Sequence, residues 1–252
     1  RIVARCDIVI ENFAGGVMQR MGLGYDELKK VNPQIIMLSS SMMGQTGPHA
    51  HGRGYGWQLT GMAGFFPITG WPHLPPTGPN GPYTDYVSPR FNVPILLAAL
   101  DYRRRTGKGQ YLDMSQYENG VQFIAPLVLD YGVNGRVAGR EGNRHPVAAP
   151  HGAYRCRGGD RWCVIAVFND EEWLNFRRVI GDPAWTANAK FSTLEDRQRN
   201  EDELDRLVET WTQRRPPEEV MVALQAAGVA AGVVQVTGED ILDNDPQLKH
   251  RG

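Results

Sequence analysis

Two short apolar runs separated by helical stretches constrain the fold of this chain most strongly. Residues 7–10 and 35–38 are rich in β-branched or other apolar side chains, as expected of strands that are covered on both faces. Residues 17–21 and 25–31 between them show helical spacing. Strand, helix and strand at this spacing form a βαβ unit with parallel strands and a right-handed crossover. The sequence therefore predicts an α/β fold.

A long segment rich in glycine, proline, histidine and aromatic residues covers residues 44–90 and holds one predicted short helix, over residues 57–65. Loops of this length inside a compact domain are usually functional, so we expect the functional site here. Regular spacing returns as a helix over residues 95–105, which ends at Gly107 in a predicted left-handed cap. We expect a strand over residues 111–114 and another helix over residues 116–129.

The sequence pattern changes after residue 145, where we place a domain boundary. A β-hairpin is predicted over residues 154–167, with its turn at residues 158–160. Residues 146–252 are therefore expected to form a small α+β domain. Its further predicted elements are helices over residues 171–180, 202–212 and 217–227 and a strand over residues 231–236.

Composition and charge argue against several classes of protein. The formal net charge of -1 gives no general basic surface, so we expect no nucleic-acid partner. No apolar run approaches the roughly 20 residues that cross a bilayer, and no signal peptide is recognisable, so we expect no membrane partner and a cytoplasmic location. Cys6, Cys156 and Cys163 form neither a disulfide framework nor a metal-ligand array, so no metal is expected.

The glycine-rich and proline-rich segment contains one carboxylate, Asp85, which is a candidate catalytic residue. It lies between Tyr83 and Tyr86, just before the predicted helix. A carboxylate in such a place can attack an acyl thioester and form a mixed anhydride. It can also serve as a helix N-cap, and the local residues alone favour that role. The local residues alone leave both interpretations open.

Several motifs, taken in order, resemble the type III CoA-transferases, the CaiB/BaiF and formyl-CoA transferase-like group. They extend over essentially the whole chain, and Asp85 stands where that family keeps its catalytic aspartate. The motifs are DIVIENF at residues 7–13, LGY at 23–25, GQTGP at 44–48, TGKGQ at 106–110, GNR at 142–144, PHGAY at 150–154 and DPQL at 245–248.

The resemblance implies a Rossmann-like large domain with a parallel sheet, to which residues 1–145 contribute with a linker, and a small α+β domain. It also implies an interlocked homodimer. Arg1 is followed at once by a strand-like approach, and a helix-like segment stops at Gly252. We therefore expect the chain to be truncated at both ends relative to the family. An isolated chain of this length is not expected to suffice for activity.

The resemblance also implies which residues contact CoA. Asn12, Phe13 and Arg20 match residues that the family places around the CoA nucleotide and its phosphates, and Arg53 matches a position that is usually Lys or Arg. Arg20 follows a glycine-rich turn between strand and helix, which suits an anion. Without the motif, Asn12 and Phe13 would be interpreted as a strand end and a core aromatic residue.

The implied reaction uses acyl-CoA and a carboxylic acid as substrates and needs no metal. Asp85 attacks the donor acyl group, CoA opens the resulting anhydride to an aspartyl-CoA thioester, and an acceptor acid reverses these steps. Gly64 and Gly142 are candidate oxyanion donors through their backbone N–H groups. Gln45 is a candidate for orienting a carbonyl, and a loop-stabilising amide is an equal alternative for it.

Two other functions remain open at this point. The 2-methylacyl-CoA racemases share the fold and pair the equivalent of Asp85 with a histidine in a Gly-His-Asp motif. Here Gly54-Tyr55-Gly56 stands at that place, and a tyrosine with a pKa near 10 is a poor base. A non-catalytic CoA-binding protein would not need Asp85, although one sequence does not exclude it.

Overall fold

The computed structural model describes residues 1–252 and divides into two compact units, Arg1–Gly142 and Asn143–Gly252. The first unit is built on a parallel sheet with strand order β1-β2-β3. Its strands are β1 (Ile8–Glu11), β2 (Ile36–Ser41) and β3 (Gln110–Ser115). Ile8 pairs with Ile36, and Ile36 pairs with Gln110. The predicted α/β class is confirmed, because β2 lies in the centre and is buried along its whole length.

Seven helices surround this sheet or follow it along the chain. Met18 and Leu28 from the first two helices pack with Ile35 and Met37 in a buried cluster at the start of the sheet. The Asn32 side chain donates to the backbone oxygen of Cys6 at 2.9 Å and so holds the second helix beside β1. The helices are α1 (Val17–Arg20), α2 (Tyr25–Val31), α3 (Gly56–Met62), α4 (Phe65–Ile68), α5 (Tyr83–Thr106), α6 (Gln116–Phe123) and α7 (Ala125–Asn134).

Helix α5 begins well before the sequence indicates. The predicted start at residue 95 is wrong, because α5 runs through both Pro89 and Pro94. Each proline removes one helical hydrogen bond and disfavours a helix when the sequence is considered alone. Packing of one face, with Thr84, Val87 and Ser88 buried, against α3, α6 and β2 maintains this helix. Asp85 therefore lies in the first turn of α5 rather than in a loop before it, whereas the left-handed cap at Gly107 (φ 70°) is confirmed.

The second unit is an antiparallel sheet with helices on one face. Strands β4 (His151–Arg155), β5 (Trp162–Ala166) and β6 (Ala230–Val234) pair in that order. Tyr154, Cys163 and Ile165 point to the helices and form one core with side chains such as Phe176 and Leu224. This arrangement confirms the α+β pattern predicted for the second part of the chain. The helices are α8 (Asp170–Val179), α9 (Leu194–Arg199), α10 (Glu201–Thr212), α11 (Pro217–Ala226) and α12 (Pro246–Arg251).

Shorter turns complete the second unit. Two 3₁₀ turns, Ala184–Ala187 and Ala189–Phe191, connect α8 to α9, and a π-helical turn at Glu239–Asn244 precedes α12. None of the helices in either unit combines the length and the apolar character that a membrane crossing requires.

Candidate active-site cleft

A cleft of about 620 Å³ opens where the three parallel strands end. Glu11 is the last residue of β1, Met42 follows β2, and Gln116 follows β3, and all three line this cleft. Ligands of open parallel sheets bind at this edge, because the strands end there and loops of different length diverge from it. The site therefore lies at the carboxyl edge of the sheet, between β1, β2, α3, α5 and α6.

Asp85 enters the cleft from the first turn of α5. The buried Thr84 beside it donates from its backbone N–H to Thr60 Oγ1 at 3.3 Å and from its hydroxyl to the Gly56 oxygen at 3.3 Å. A Cβ atom on Gly56 would lie 2.6 Å from Asp85 Cγ and 2.5 Å from Pro82 Cβ. Only a glycine fits at position 56, so α3 and α5 together fix where the Asp85 carboxyl lies.

The environment of Asp85 differs from that of a surface carboxylate. Burial raises the pKa of Asp85, and a hydrogen bond with the Gln116 side chain opposes this rise. A partly desolvated carboxyl with one specific polar partner in a cleft is typical of a reactive group. Gln116 is a residue that sequence reasoning missed. The only signal for it was its place directly after the predicted strand that became β3.

Three of the four predicted CoA contacts lie together beside this cleft. Asn12, Phe13 and Arg53 line a second cavity of about 210 Å³. Asn12, Met42 and Gly54 are lining residues of both cavities, so the two adjoin. Phe13 is 48% exposed, whereas a core aromatic residue would be buried. The arrangement offers a cation, an amide and an exposed aromatic ring in a cavity that adjoins the cleft lined by Asp85.

Arg20 and Gln45 lie together at a different place, the turn before α1. A Cβ atom on Gly16, which has φ 77°, would lie 3.0 Å from Arg20 Nη1, so the guanidinium folds back over this turn. Gln45 Oε1 accepts a hydrogen bond from the Gly16 N–H at 3.1 Å. The Gln45 N–H itself donates to the Asp113 carboxylate at 2.9 Å. The Gln45 side chain thus stabilises the Gly16 turn in this structure.

The backbone N–H groups of Gly64 and Gly142, the candidate oxyanion donors, donate to other backbone oxygens in this structure. The Gly64 N–H donates to the Gly61 oxygen at 3.1 Å, and the Gly142 N–H donates to the Gly70 oxygen at 2.9 Å. A Cβ atom on Gly142 would lie 2.6 Å from Trp71 Cζ3. Both N–H groups are already engaged, and neither glycine is brought next to Asp85 in this structure.

Tyr55 lies in the cleft, at the position where the racemase alternative would require a histidine. It lines the cleft with Gly56 and Asp85, and 81% of its surface is exposed. A side chain so exposed is not held in one place by packing, as a catalytic base must be. The position that would hold a racemase histidine therefore carries a residue ill-suited to proton abstraction.

Comparison with known proteins identifies the family. CoA-transferase family III matches residues 1–252. The chain is 32% identical over 243 residues to a succinyl-CoA--D-citramalate CoA-transferase of Chloroflexus aurantiacus, covering 96% of this chain and 60% of that protein. It is 34% identical over 232 residues to an acetyl-CoA:oxalate CoA-transferase of Acetobacter aceti, covering 92% of this chain and 59% of that protein.

A solved structure agrees with these relatives. The crystal structure of a CAIB/BAIF family protein from Brucella suis superposes with a TM-score of 0.92 at 32% identity, over 100% of this chain and 65% of that one. The chain thus spans about three fifths of the length of the curated relatives described above. With a family match over its full length, the chain belongs to CoA-transferase family III.

Proposed function

We propose that the protein moves CoA from an acyl-CoA donor to a carboxylic acid, with Asp85 as the covalent carrier. The observation that supports this most is the placement of Asp85. Its partly buried carboxyl faces a cleft at the carboxyl edge of the sheet, between Gly56 and Gln116. The names of two relatives, a succinyl-CoA--D-citramalate CoA-transferase and an acetyl-CoA:oxalate CoA-transferase, are consistent with this activity.

Asp85 is the only protein group that forms covalent bonds in the proposed reaction. An Asp85 oxygen attacks the acyl carbon of the donor, an oxygen–carbon bond forms, and the CoA thiolate leaves. The thiolate then attacks Asp85 Cγ, so an aspartyl-CoA thioester forms and the donor acid departs. An acceptor carboxylate attacks Asp85 Cγ and releases the thiolate, which takes the acceptor acyl group. Asp85 is regenerated as a carboxylate.

The neighbouring cavity is the proposed site for the CoA nucleotide. Arg53 supplies a positive charge for a phosphate, Asn12 supplies an amide, and the exposed ring of Phe13 supplies a surface for stacking. We propose that Arg20, beside the Gly16 turn, adds a second positive charge for the phosphates. The proposed assembly, following the family resemblance, is an interlocked homodimer.

Trapping distinguishes this function from its alternatives. The protein, expressed at its natural full length, is incubated with succinyl-CoA or acetyl-CoA in the presence of hydroxylamine. A transferase should give a hydroxamate on Asp85. A racemase should instead exchange solvent deuterium into the α-position of a 2-methylacyl-CoA without an acceptor acid, and a CoA-binding protein should do neither. Absence of any adduct on Asp85 with every donor tested would contradict the proposal.

A further inference from the structure

Gln116 is held in place by the ends of two strands. It is the first residue of α6, and Ser115 before it caps the helix, since Ser115 Oγ accepts from the Glu118 N–H at 3.2 Å. The next residue, Tyr117, donates its N–H to the Met42 oxygen at 2.9 Å. The backbone around Gln116 is therefore fixed to the carboxyl ends of both β2 and β3.

The face of α6 that carries Gln116 packs closely on the start of α5. Gly120 lies one helical turn after Gln116, and residues four apart share a helix face. A Cβ atom on Gly120 would lie 3.1 Å from Thr84 Cγ2 and 3.0 Å from Ala63 Cβ. Thr84 immediately precedes Asp85, so this close contact places the start of α6 beside Asp85, and the Gln116 and Asp85 side chains line the same cleft.

We propose that the Gln116 amide donates to the Asp85 oxygen that does not react, first in the carboxylate and then in the oxyanion that forms when Asp85 Cγ is attacked. This inference rests on the proposed covalent role of Asp85. It assigns to Gln116 a catalytic contact beyond the residues that the family resemblance implies.

The Gln116 amide stabilises Asp85 both as the free carboxylate and during attack on Cγ, because each stage places negative charge on the same oxygen. In the free enzyme it favours the ionised, nucleophilic carboxylate against the desolvation that burial imposes. When the CoA thiolate attacks Asp85 Cγ in the anhydride, the carbon–sulfur bond forms and the carbonyl electron pair moves to the remaining oxygen. The N–H of an amide stabilises that charge without transferring a proton. The bond to the departing acid then breaks and the carbonyl re-forms.

The other donors considered for this role are less suitable. The backbone N–H groups of Gly64 and Gly142 already donate to carbonyl oxygens within their own loops. Gln45 does not line this cleft, and its Oε1 accepts from Gly16 at the turn before α1. Of the side-chain amides that line the cleft with Asp85, Asn92 donates to Ser40 Oγ and Asn12 also lines the neighbouring cavity, so we assign the role to Gln116.

Ionisable groups around Asp85 are left unchanged in the test, so a shift in the pH profile can be assigned to Gln116. Two of them line the cleft, and the others lie on the first two turns of α5 and the first turn of α6. They are Glu11 and Tyr55, then Tyr83, Tyr86 and Arg90, and finally Tyr117 and Glu118.

The decisive variant is Gln116→Met, which keeps the length of the side chain and removes the donor. We expect kcat for CoA transfer to fall about 10-fold to 100-fold, with KM for acyl-CoA within about 2-fold, because the contact strengthens only as charge develops. Without the donor the pKa of Asp85 rises, so the acidic limb of the pH profile should move to higher pH. Gln122→Met, on an exposed position of the same helix, should behave as wild type.

A second variant keeps the test valid if Gln116→Met does not fold. Gln116→Glu has almost the same shape but places a second carboxylate beside Asp85, so the acidic limb should move further than in Gln116→Met. Wild-type kcat and an unchanged acidic limb in whichever of the two variants folds would overturn the inference. If wild type forms no hydroxamate on Asp85, the proposed function fails first; if it does and the variants match it, only the role of Gln116 fails.

Discussion

The two units of the chain bury their side chains in different ways. In residues 143–252, fifteen buried side chains form one cluster under the antiparallel sheet. In residues 1–142, the cluster at the start of the parallel sheet has four, and helix α7 buries none of its residues although Leu129 and Val133 are apolar. Helices α8, α10 and α11 of the second unit thus bury one face in a shared core. The first unit leaves apolar helix surface uncovered, while a few close contacts fix the Asp85 carboxyl.

The difference suggests that substitutions should have separate consequences in the two units. In the first unit, a change of one or two atoms near Asp85 should affect the reaction far more than the free energy of unfolding. In the second unit, a change in the core should affect the free energy of unfolding directly. The expected effects, from the largest to the smallest, are as follows.

Asp85→Asn should have the largest effect. The amide cannot form the anhydride, so transfer activity should fall by at least about 10³-fold, as for removal of other covalent nucleophiles. Asp85 makes no ion pair with another side chain, so the midpoint of thermal unfolding should stay within about 2 °C of wild type. Initial rates of acyl-CoA formation and a thermal melt measure both. Full activity in this variant would show that the carboxyl is not the carrier.

Phe176→Ala should destabilise the second unit. The Phe176 ring is fully buried and stacks on Trp173 at 5.6 Å, so its loss leaves a cavity that costs about 3–5 kcal/mol of unfolding free energy. Urea unfolding measures this value. Leu174→Ala, at a position 47% exposed in the same helix, should cost much less. Similar costs for both would mean that the core is not where the structure puts it.

Gly56→Ala should have a larger effect on kcat, expressed as a free energy, than on the free energy of unfolding. The added methyl would overlap the positions of Asp85 Cγ and Pro82 Cβ, so the carboxyl must move. A displacement of about 1 Å can cost about 10²-fold in kcat, while KM should change little. The matched control is Gly61→Ala in the same helix, whose methyl would meet only ordinary contacts with the Phe66 ring at 3.4 Å or more. Equal losses in both variants would contradict the constraint that we assign to position 56.

The smallest expected effect is a pH dependence in the second unit. Burial raises the pKa of Glu201 to about 7, with the Asp205 charge as the next cause. Because the pKa is higher in the folded state than the ordinary 4.5, the stability that neutral Glu201 contributes is fully present below pH 4.5 and is lost as pH rises through about 7.

Glu201→Gln should therefore stabilise the second unit at pH 8, by about 1 kcal/mol, and have little effect at pH 4. Thermal unfolding at the two pH values measures the difference. Glu171→Gln, at an exposed position of α8, is the matched control for the loss of a carboxylate at the protein surface. A Glu201→Gln effect that is independent of pH would contradict the assigned ionisation.

Local pattern predicted most of the elements. The β-branched runs at residues 7–10 and 35–38 became β1 and β2, and the Gly158-Gly159-Asp160 turn joins β4 to β5 as expected. The start of α5 was not predictable, because Pro89 and Pro94 argue against a helix and only packing outweighs them. The single helix expected over residues 116–129 is two helices, with Ile124 between α6 and α7.

The candidate site was less accessible from sequence than the fold. Asp85 alone was ambiguous, and only the ordered motifs favoured a nucleophile. Gln116 has no distinguishing pattern around it, since its contact with Asp85 arises from the pairing of β3 with β2 and the packing of α6 on α5. For Gln45 the sequence left two roles open, orienting a carbonyl or stabilising a loop, and only the fold shows its side-chain oxygen accepting from the Gly16 N–H. A local sequence pattern does not predict contacts between residues that are distant in sequence.

Transfer of oxygen-18 into Asp85 tests the covalent role most directly. The full-length protein is first loaded with a donor acyl-CoA and then turned over once with an acceptor acid whose two carboxylate oxygens are oxygen-18. If the acceptor attacks Asp85 Cγ and CoA then takes its acyl group, one labelled oxygen remains in the Asp85 carboxylate. Mass spectrometry of the peptide that carries Asp85 should show that single label. Formation of the product thioester with no label in Asp85 would contradict the account.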